Sequence, residues 1–206
     1  MNLALFYDSE TTGLPDFKAP SEAPHQPHIV QLAACLVDLD TRQTISSMDV
    51  ITYPDGWTIP DEVAAIHGIT TEHASLVGVP EKMAIEMFLQ LWAGPGRVRI
   101  AHNEQFDARI LRIGMKRFID KPDDALPTSD IWKAGESDCT ARLATPICQI
   151  PPTAKMVKAG FNKFKTANLR EAYLHFTGKE LENAHSAMAD VQACMAVYFA
   201  IKGAAA

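Results

Sequence analysis

Apolar and polar positions along this chain follow two periods, and the switches between them mark its elements. Leu3-Ala4-Leu5-Phe6-Tyr7 is an uncharged run with two aromatics and predicts a buried strand. It breaks off into Asp8-Ser9-Glu10-Thr11-Thr12-Gly13. Carboxylates two positions apart on a strand share one face, with Cα atoms roughly 7 Å apart. Ile29 to Asp38 and Thr44 to Tyr53 predict an antiparallel hairpin that extends the same sheet, closed by the turn Pro54-Asp55-Gly56. Val98 to Ala101 predicts a short strand, and a further strand is expected somewhere between Leu126 and Thr140.

The helical period appears in the other segments. Pro60-Asp61-Glu62 opens a short helix that ends at Gly68, and Thr70 caps another turn. Pro80 to Trp92 carries Met83, Met87 and Leu91 at helical spacing, and Gly94-Pro95-Gly96 stops it. No Lys-Ser/Thr follows those glycines, so they are not a phosphate loop. Asn103 is placed to cap a helix from Glu104 to Phe118 whose core face is Phe106, Ile110 and Ile113. On that helix Arg109, Arg112 and Lys116 form a stripe that reads as a solvated face. Ala141 to Gln149 is helical, and Asn168 caps Leu169 to Phe176, closed by Gly178. A last helix runs from Ser186 to Lys202, and the Gly-Ala-Ala-Ala end should fray.

Two segments read as loops. Gly13 to His28 contains Pro15, Pro20, Pro24 and Pro27. Its His25 and His28 have no further ligand at zinc spacing and read as solvent-exposed. Pro151 to Thr166 holds Lys155, Lys158, Lys163 and Lys165, no acid, and Phe161 and Phe164 between them. It suits a phosphate backbone with unstacked bases, and equally a solvated lysine loop.

Composition narrows the function. The 206 residues, without internal repeat or low-complexity linker, are expected to form a single domain, 1–206. The formal net charge of −6 argues against bulk attraction to nucleic acid, so any phosphate-binding surface must be local or built on cations. Cys35, Cys139, Cys148 and Cys194 show no CxxC pairing and read as reduced thiols of a cytoplasmic protein. Asp8 and Glu10 interrupt any leader-like stretch, and no apolar run is long enough to span a bilayer, so no membrane association is expected.

Four acids then stand at strand ends or helix starts: Asp8, Glu10, Asp107 and Asp190. In an α/β sheet such positions meet at one edge. Together they would repel unless divalent cations offset them. Two cations there would serve phosphoryl chemistry, with His185 taking a proton from water. His185 and Asp190 are five apart, roughly 140° around a helix and about 7.5 Å along it. Both can serve one site only if His185 precedes the helix and Asp190 lies a turn inside it.

Four motifs in chain order carry a resemblance. Asp8-Ser9-Glu10-Thr11-Thr12-Gly13 resembles the first motif of the DnaQ-like, or DEDD, 3′→5′ exonucleases, and Asn103-Glu104-Gln105-Phe106-Asp107 resembles the second. His185-Ser186-Ala187-Met188-Ala189-Asp190 resembles the third in the form that marks the histidine subclass. Ile66-His67-Gly68-Ile69-Thr70 is similar to the proofreading-subunit branch. The resemblance implies an α/β, ribonuclease-H-like fold with a mixed five-stranded sheet flanked by helices. It implies Asp8, Glu10 and Asp190 as principal ligands of two divalent cations, Mg²⁺ or Mn²⁺, with Asp107 on the second, directly or through water, and His185 as general base. Thr11, Thr12 and Gly13 would hold the terminal nucleotide and Leu14 would wedge against its base. Glu62 and His67 would approach the 3′-terminal sugar or phosphate. Asn103 and Phe106 match the motif, although capping and packing explain them equally well. The implied activity is release of nucleoside 5′-monophosphates from single-stranded 3′ ends, DNA favoured over RNA. An exoribonuclease and a catalytically silent nucleic-acid-binding module are the alternatives. Analogy with family members allows a homodimer, and any replication or repair partner is unspecified. The loops 15–28 and 151–166 have no counterpart in the family pattern.

Overall fold

A computed structural model describes residues 1–94 and 96–204. Pro95 of the expected helix stop and the last two alanines of the expected frayed end lie outside the described residues. The strands are β1 Leu3–Thr11, β2 Ile29–Asp38, β3 Gln43–Tyr53, β4 Val79–Pro80, β5 Val98–Ala101 and β6 Ser137–Cys139. The helices are α1 Asp61–His67, α2 Thr71–Val77, α3 Glu81–Trp92, α4 Glu104–Phe118, α5 Thr128–Ala134, α6 Thr140–Cys148, α7 Ala154–Lys158, α8 Leu169–Thr177 and α9 Ala187–Ala204.

The strands form one mixed sheet in the order β4-β3-β2-β1-β5-β6. β1, β2 and β3 are antiparallel, while β5 runs parallel to β1 and β6 parallel to β5. The expected five-stranded ribonuclease-H-like sheet is therefore present, and the two residues of β4 add a sixth strand at its edge. β2 is buried along its whole length because strands flank it and helices cover both its faces.

Alternation along β1 sorts the core. Leu5 and Tyr7 face α3, α4 and α5, packing with Phe88, Leu111 and Trp132. Ala4 and Phe6 face α9, packing with Val191, Cys194 and Tyr198. The Phe6 and Tyr198 rings meet edge to face at 5.3 Å. The same alternation, carried two residues further, decides where the acids of β1 point.

Several local expectations change. In α3 the inward face is Ala84, Ile85 and Phe88, while Met83 and Met87 remain 47% and 40% exposed. The strand sought after Leu126 shrinks to β6, because 128–134 coils into α5 and buries Trp132. The lysine-rich loop contains α7, capped by the Thr153 hydroxyl. Thr70 caps α2, Gly68 ends α1 in the left-handed region, and Asn168 with Glu171 forms a capping box on α8. Asn103 does not cap α4 with its side chain; it takes a left-handed conformation, φ 70°, before the helix.

The stripe on α4 is not a solvated face. Arg109 donates to the Asp16 and Ala19 carbonyls, Arg112 meets Asp130 at 3.5 Å and Lys116 meets Asp120 at 3.1 Å. Arg117 donates to the Gln26 and Pro27 carbonyls. Gln26 closes the same loop from within, donating to the Asp16 and Pro20 carbonyls. The helix thus fastens the proline-rich loop that leaves the end of β1. His28 is not solvent-exposed either. Its ring stacks on Trp57 at 4.7 Å and its Nδ1 lies 2.7 Å from Glu81. His25 is exposed and pairs with Asp16.

Candidate active site

Asp8 and Glu10 are even-numbered positions of β1, so they share the α9 face with Ala4 and Phe6. Across the ladder they stand opposite Ala33 and Gln31. Ala33 leaves room for α9 to approach, and Gln31 accepts a hydrogen bond from the Ala187 N–H at the first turn of α9 (3.1 Å). Gln31 also donates to Asp49 at 2.8 Å. It thereby sets the start of α9 beside Glu10. Its signal in the sequence is a lone amide inside the apolar run of β2.

Ser9, the odd position between the two acids, points the other way, toward α4. Its N–H and hydroxyl both donate to Asp107 Oδ1, at 3.0 and 2.7 Å. This clamp holds Asp107, only 2% exposed, against the end of β1. Below it, Glu104 accepts from the Tyr7 hydroxyl at 3.1 Å and pairs with Arg99 at 2.8 Å, which fixes the first turn of α4. Neither Ser9 nor Gln31 was among the expected site residues. Both act through backbone or helix placement, which motif spacing does not report.

His185 precedes α9 in a left-handed conformation, φ 69°, and its N–H approaches Asp190 Oδ2 at 3.3 Å. This is the arrangement that the five-residue spacing requires. Ligand atoms of Glu10, His185 and Asp190 all lie within 4.8 Å of one another. Ser9 ties Asp107 to the strand segment between Asp8 and Glu10, and the charges of Asp107, Asp190 and Glu10 all act on the buried Asp8.

The electrostatics follow from that crowding. Burial, then the Asp107, Asp190 and Glu10 charges, hold the Asp8 carboxyl well above the usual range. Burial and Asp190 push Glu10 up to about 7. Burial pushes Asp107 up to about 8, against the two hydrogen bonds from Ser9 that favour its charged form. Burial also raises Asp190, opposed by the His185 N–H. Asp190 Oδ1 is buried without a hydrogen-bond partner among the described residues. An orphaned Asp190 oxygen in a cluster with Glu10 and His185 belongs to a donor set suited to hard divalent cations.

This predicts an inverted pH profile for the metal-free protein. Between about pH 4, where carboxylates titrate in an unfolded chain, and the folded values of about 7 and 8, the folded state holds more protons than the unfolded one. Stability from these groups is complete below the unfolded value and is lost as pH rises through the folded values. In EDTA the melting temperature should be several degrees lower at about pH 8.5 than at about pH 6, with Mg²⁺ or Mn²⁺ recovering it mainly at the higher pH. A melting curve insensitive to both pH and metal would mean that the acids do not share a pocket.

The remaining expected residues are placed unevenly. Leu14 is 86% exposed just beyond β1, as a wedge would be. The Thr12 N–H is engaged by the His28 carbonyl and its hydroxyl accepts from the His28 N–H, both at 3.0 Å, so that N–H is not open to a nucleotide. The Thr11 hydroxyl donates to the Gly13 carbonyl at 2.7 Å. His67 Nδ1 accepts from Ile69 N–H, which puts the ring proton on Nε2. That nitrogen is buried, approaches the Thr11 backbone without completing a hydrogen bond, and feels His185. Burial lowers the His67 pKa, so the ring is neutral at pH 7. Glu62 is exposed in the first turn of α1. Asn103 is exposed, and Phe106 packs on the core.

A family model described as Exonuclease (RNase_T) matches residues 5–198. Among solved structures, Escherichia coli exonuclease I in complex with a dT13 oligonucleotide is 23% identical, with a TM-score of 0.71. The match covers 98% of this chain and 41% of that one. The same enzyme with a dA16 oligonucleotide is 21% identical, TM-score 0.71, with the same coverages. Its zinc-bound complex with single-stranded DNA is 22% identical, TM-score 0.69, again over 98% and 41%. The chain thus spans about two fifths of the length of these solved chains. No curated protein matches the sequence.

Proposed function

This chain belongs to the exonuclease family RNase_T, and from that premise we propose that residues 1–206 form one DnaQ-like exonuclease domain of the histidine subclass. It removes nucleoside 5′-monophosphates from 3′ ends, mainly of single-stranded DNA. The observation that carries this is the gathering of Glu10, His185 and Asp190, whose ligand atoms lie within 4.8 Å of one another, with Asp107 held by Ser9, the residue between Asp8 and Glu10. The oligonucleotides bound to the exonuclease I structures support a single-stranded DNA substrate. The unpaired cysteines are in keeping with a cytoplasmic setting, and among the described residues no helix is long and apolar enough to cross a membrane.

Asp8, Glu10 and Asp190, with Asp107, are the residues to hold two divalent cations, Mg²⁺ or Mn²⁺. Bound there, the cations supply Lewis-acid activation of the phosphodiester and neutralise its developing charge. The chain's own residues do the rest. Ser9 keeps Asp107 aimed into the pocket, and Gln31 keeps Asp190 and His185 beside Glu10. His185, exposed at the rim, has room to accept the proton of an attacking water and pass it to solvent. Leu14, exposed just beyond β1, is the residue to wedge against a terminal base. His67 packs against the Thr11 backbone, where it would support the segment that meets the terminal sugar or phosphate.

The test is a matched pair of single-stranded DNA and RNA oligonucleotides, each with Mg²⁺, Mn²⁺ or EDTA. Mononucleotides should appear stepwise from the 3′ end, faster from DNA and never in EDTA. Faster release from RNA would transfer the activity to the exoribonuclease alternative. Binding without any hydrolysis would leave a silent nucleic-acid-binding module.

A further inference from the structure

Charge in this chain is segregated. No acid occurs between Asp138 and Glu171, while Arg142, Lys155, Lys158, Lys163, Lys165 and Arg170 fall in that interval. With a net charge of −6 overall, these six cations leave −12 on the remainder. The interval is anchored to the body of the protein. His102 Nε2 donates to the Ala167 carbonyl at 3.0 Å, and Lys165 N–H donates to the Ile150 carbonyl at 2.9 Å. Lys165 is also consumed by Glu171, 2.6 Å from its Nζ.

Between α6 and the connection that returns to α8 lies an open groove of about 500 Å³. Arg142, Thr145 and Pro146 line it from α6, and Lys163, Phe164 and Thr166 from the connection. Arg142 and Lys163 are exposed and form no ion pair among the described residues. Phe164 is 47% exposed and neighbouring Phe161 is 65% exposed. Unpaired cations beside open aromatic rings are the two elements that a single strand uses, one for phosphates and one for bases.

Topology brings this groove to the flank of the acid pocket. β6 is parallel to β5, and β5 to β1, so α6 starts from the sheet edge that also carries Asp8 and the first turn of α4. β6 stands two strands from β1, about 10 Å. Thr140, the first residue of α6, is 2.9 Å from His102, which immediately precedes the α4 segment bearing Asp107.

We propose that this groove is the track for the part of a DNA single strand that lies 5′ of the scissile phosphate, with Arg142 and Lys163 on phosphates and Phe164 beneath a base. The assignment rests on the exonuclease reading and adds to it the surface that holds substrate beyond the terminal nucleotide. It also explains how a protein of net negative charge retains a polyanion, since the attractive charge is gathered on one strip beside the pocket.

The test is direct binding of a fluorescent dT15 strand over a range of salt, with Ca²⁺ in place of Mg²⁺ so that binding is read separately from hydrolysis. R142Q/K163Q should weaken binding and reduce the slope of log affinity against log salt by about 1.4, two phosphate contacts at about 0.7 each. Phe164→Ala should weaken binding roughly tenfold with little change in slope. R142K/K163R should restore the slope, and K121Q, beyond the far end of α4, should leave it unchanged. Thermal melts of each variant confirm folding. An unchanged slope in R142Q/K163Q, an equal loss in K121Q, or a wild type that does not bind dT15 would overturn the track. A wild type that binds dT15 with the full slope yet releases no mononucleotide in Mg²⁺ or Mn²⁺ would remove the exonuclease reading and leave the track standing.

Discussion

Asp8→Asn should abolish hydrolysis while making the metal-free protein more stable. The two effects have one cause. Asp8 is held among Asp107, Asp190 and Glu10 in desolvated surroundings, so its charge costs the folded state free energy in the absence of cations. Asparagine keeps the shape and removes the charge. The pocket then offers one carboxylate fewer to a divalent ion, and turnover should fall by roughly three decades or more, as when a residue acting within a catalytic unit is lost. In EDTA at about pH 8 the variant should melt several degrees above wild type, and Mn²⁺ should raise its melting temperature less than it raises that of wild type. A variant that loses activity and also melts lower would point to a structural role for Asp8. One that retains activity would end its assignment as a ligand.

His185→Ala should slow turnover by roughly two to four decades with metal binding retained. The imidazole sits at the rim, exposed, on a residue that stands before α9 and is not part of its packed face. Its backbone, not its ring, makes the hydrogen bond to Asp190. Removing the ring therefore leaves the carboxylates where they are. Manganese titration followed by melting temperature separates the roles. An unshifted Mn²⁺ response with collapsed turnover supports a proton acceptor. Loss of the Mn²⁺ response would make His185 a ligand, which its nearness to Glu10 and Asp190 also permits geometrically.

These expectations depend on features of unequal visibility in the sequence. The pairing of Asp8 and Glu10 is legible because a strand's period is two and nothing distant alters it. That His185 must stand outside α9 if it shares a site with Asp190 is legible from spacing, since five residues of continuous helix would have turned it away from Asp190. The caps at Thr70 and Asn168 are local hydrogen bonds and are equally visible. The stripe on α4 illustrates the opposite case. Arg109 looks like a surface cation until a loop some ninety residues earlier in the chain presents its carbonyls to it. His28 looks like a loop histidine until Trp57 and Glu81 close on it. Asn103 has the composition of a cap and the backbone of a left-handed corner.

The chain's one-dimensional order determines which residues carry charge, on which face of each element they sit, and that acids stand at strand ends and helix starts. Those properties depend on short-range geometry, which a few neighbouring residues suffice to set. The tertiary structure alone decides that Ser9 grips Asp107 across a separation of 98 residues, and that Gln31 seats α9 from 156 residues away. It alone decides which cations are spent on carbonyls and which stay open along α6 and its neighbouring connection. Hydrogen bonds and ion pairs of that span exist only after the sheet and helices have packed, because chain closure and burial, not local preference, bring their partners together.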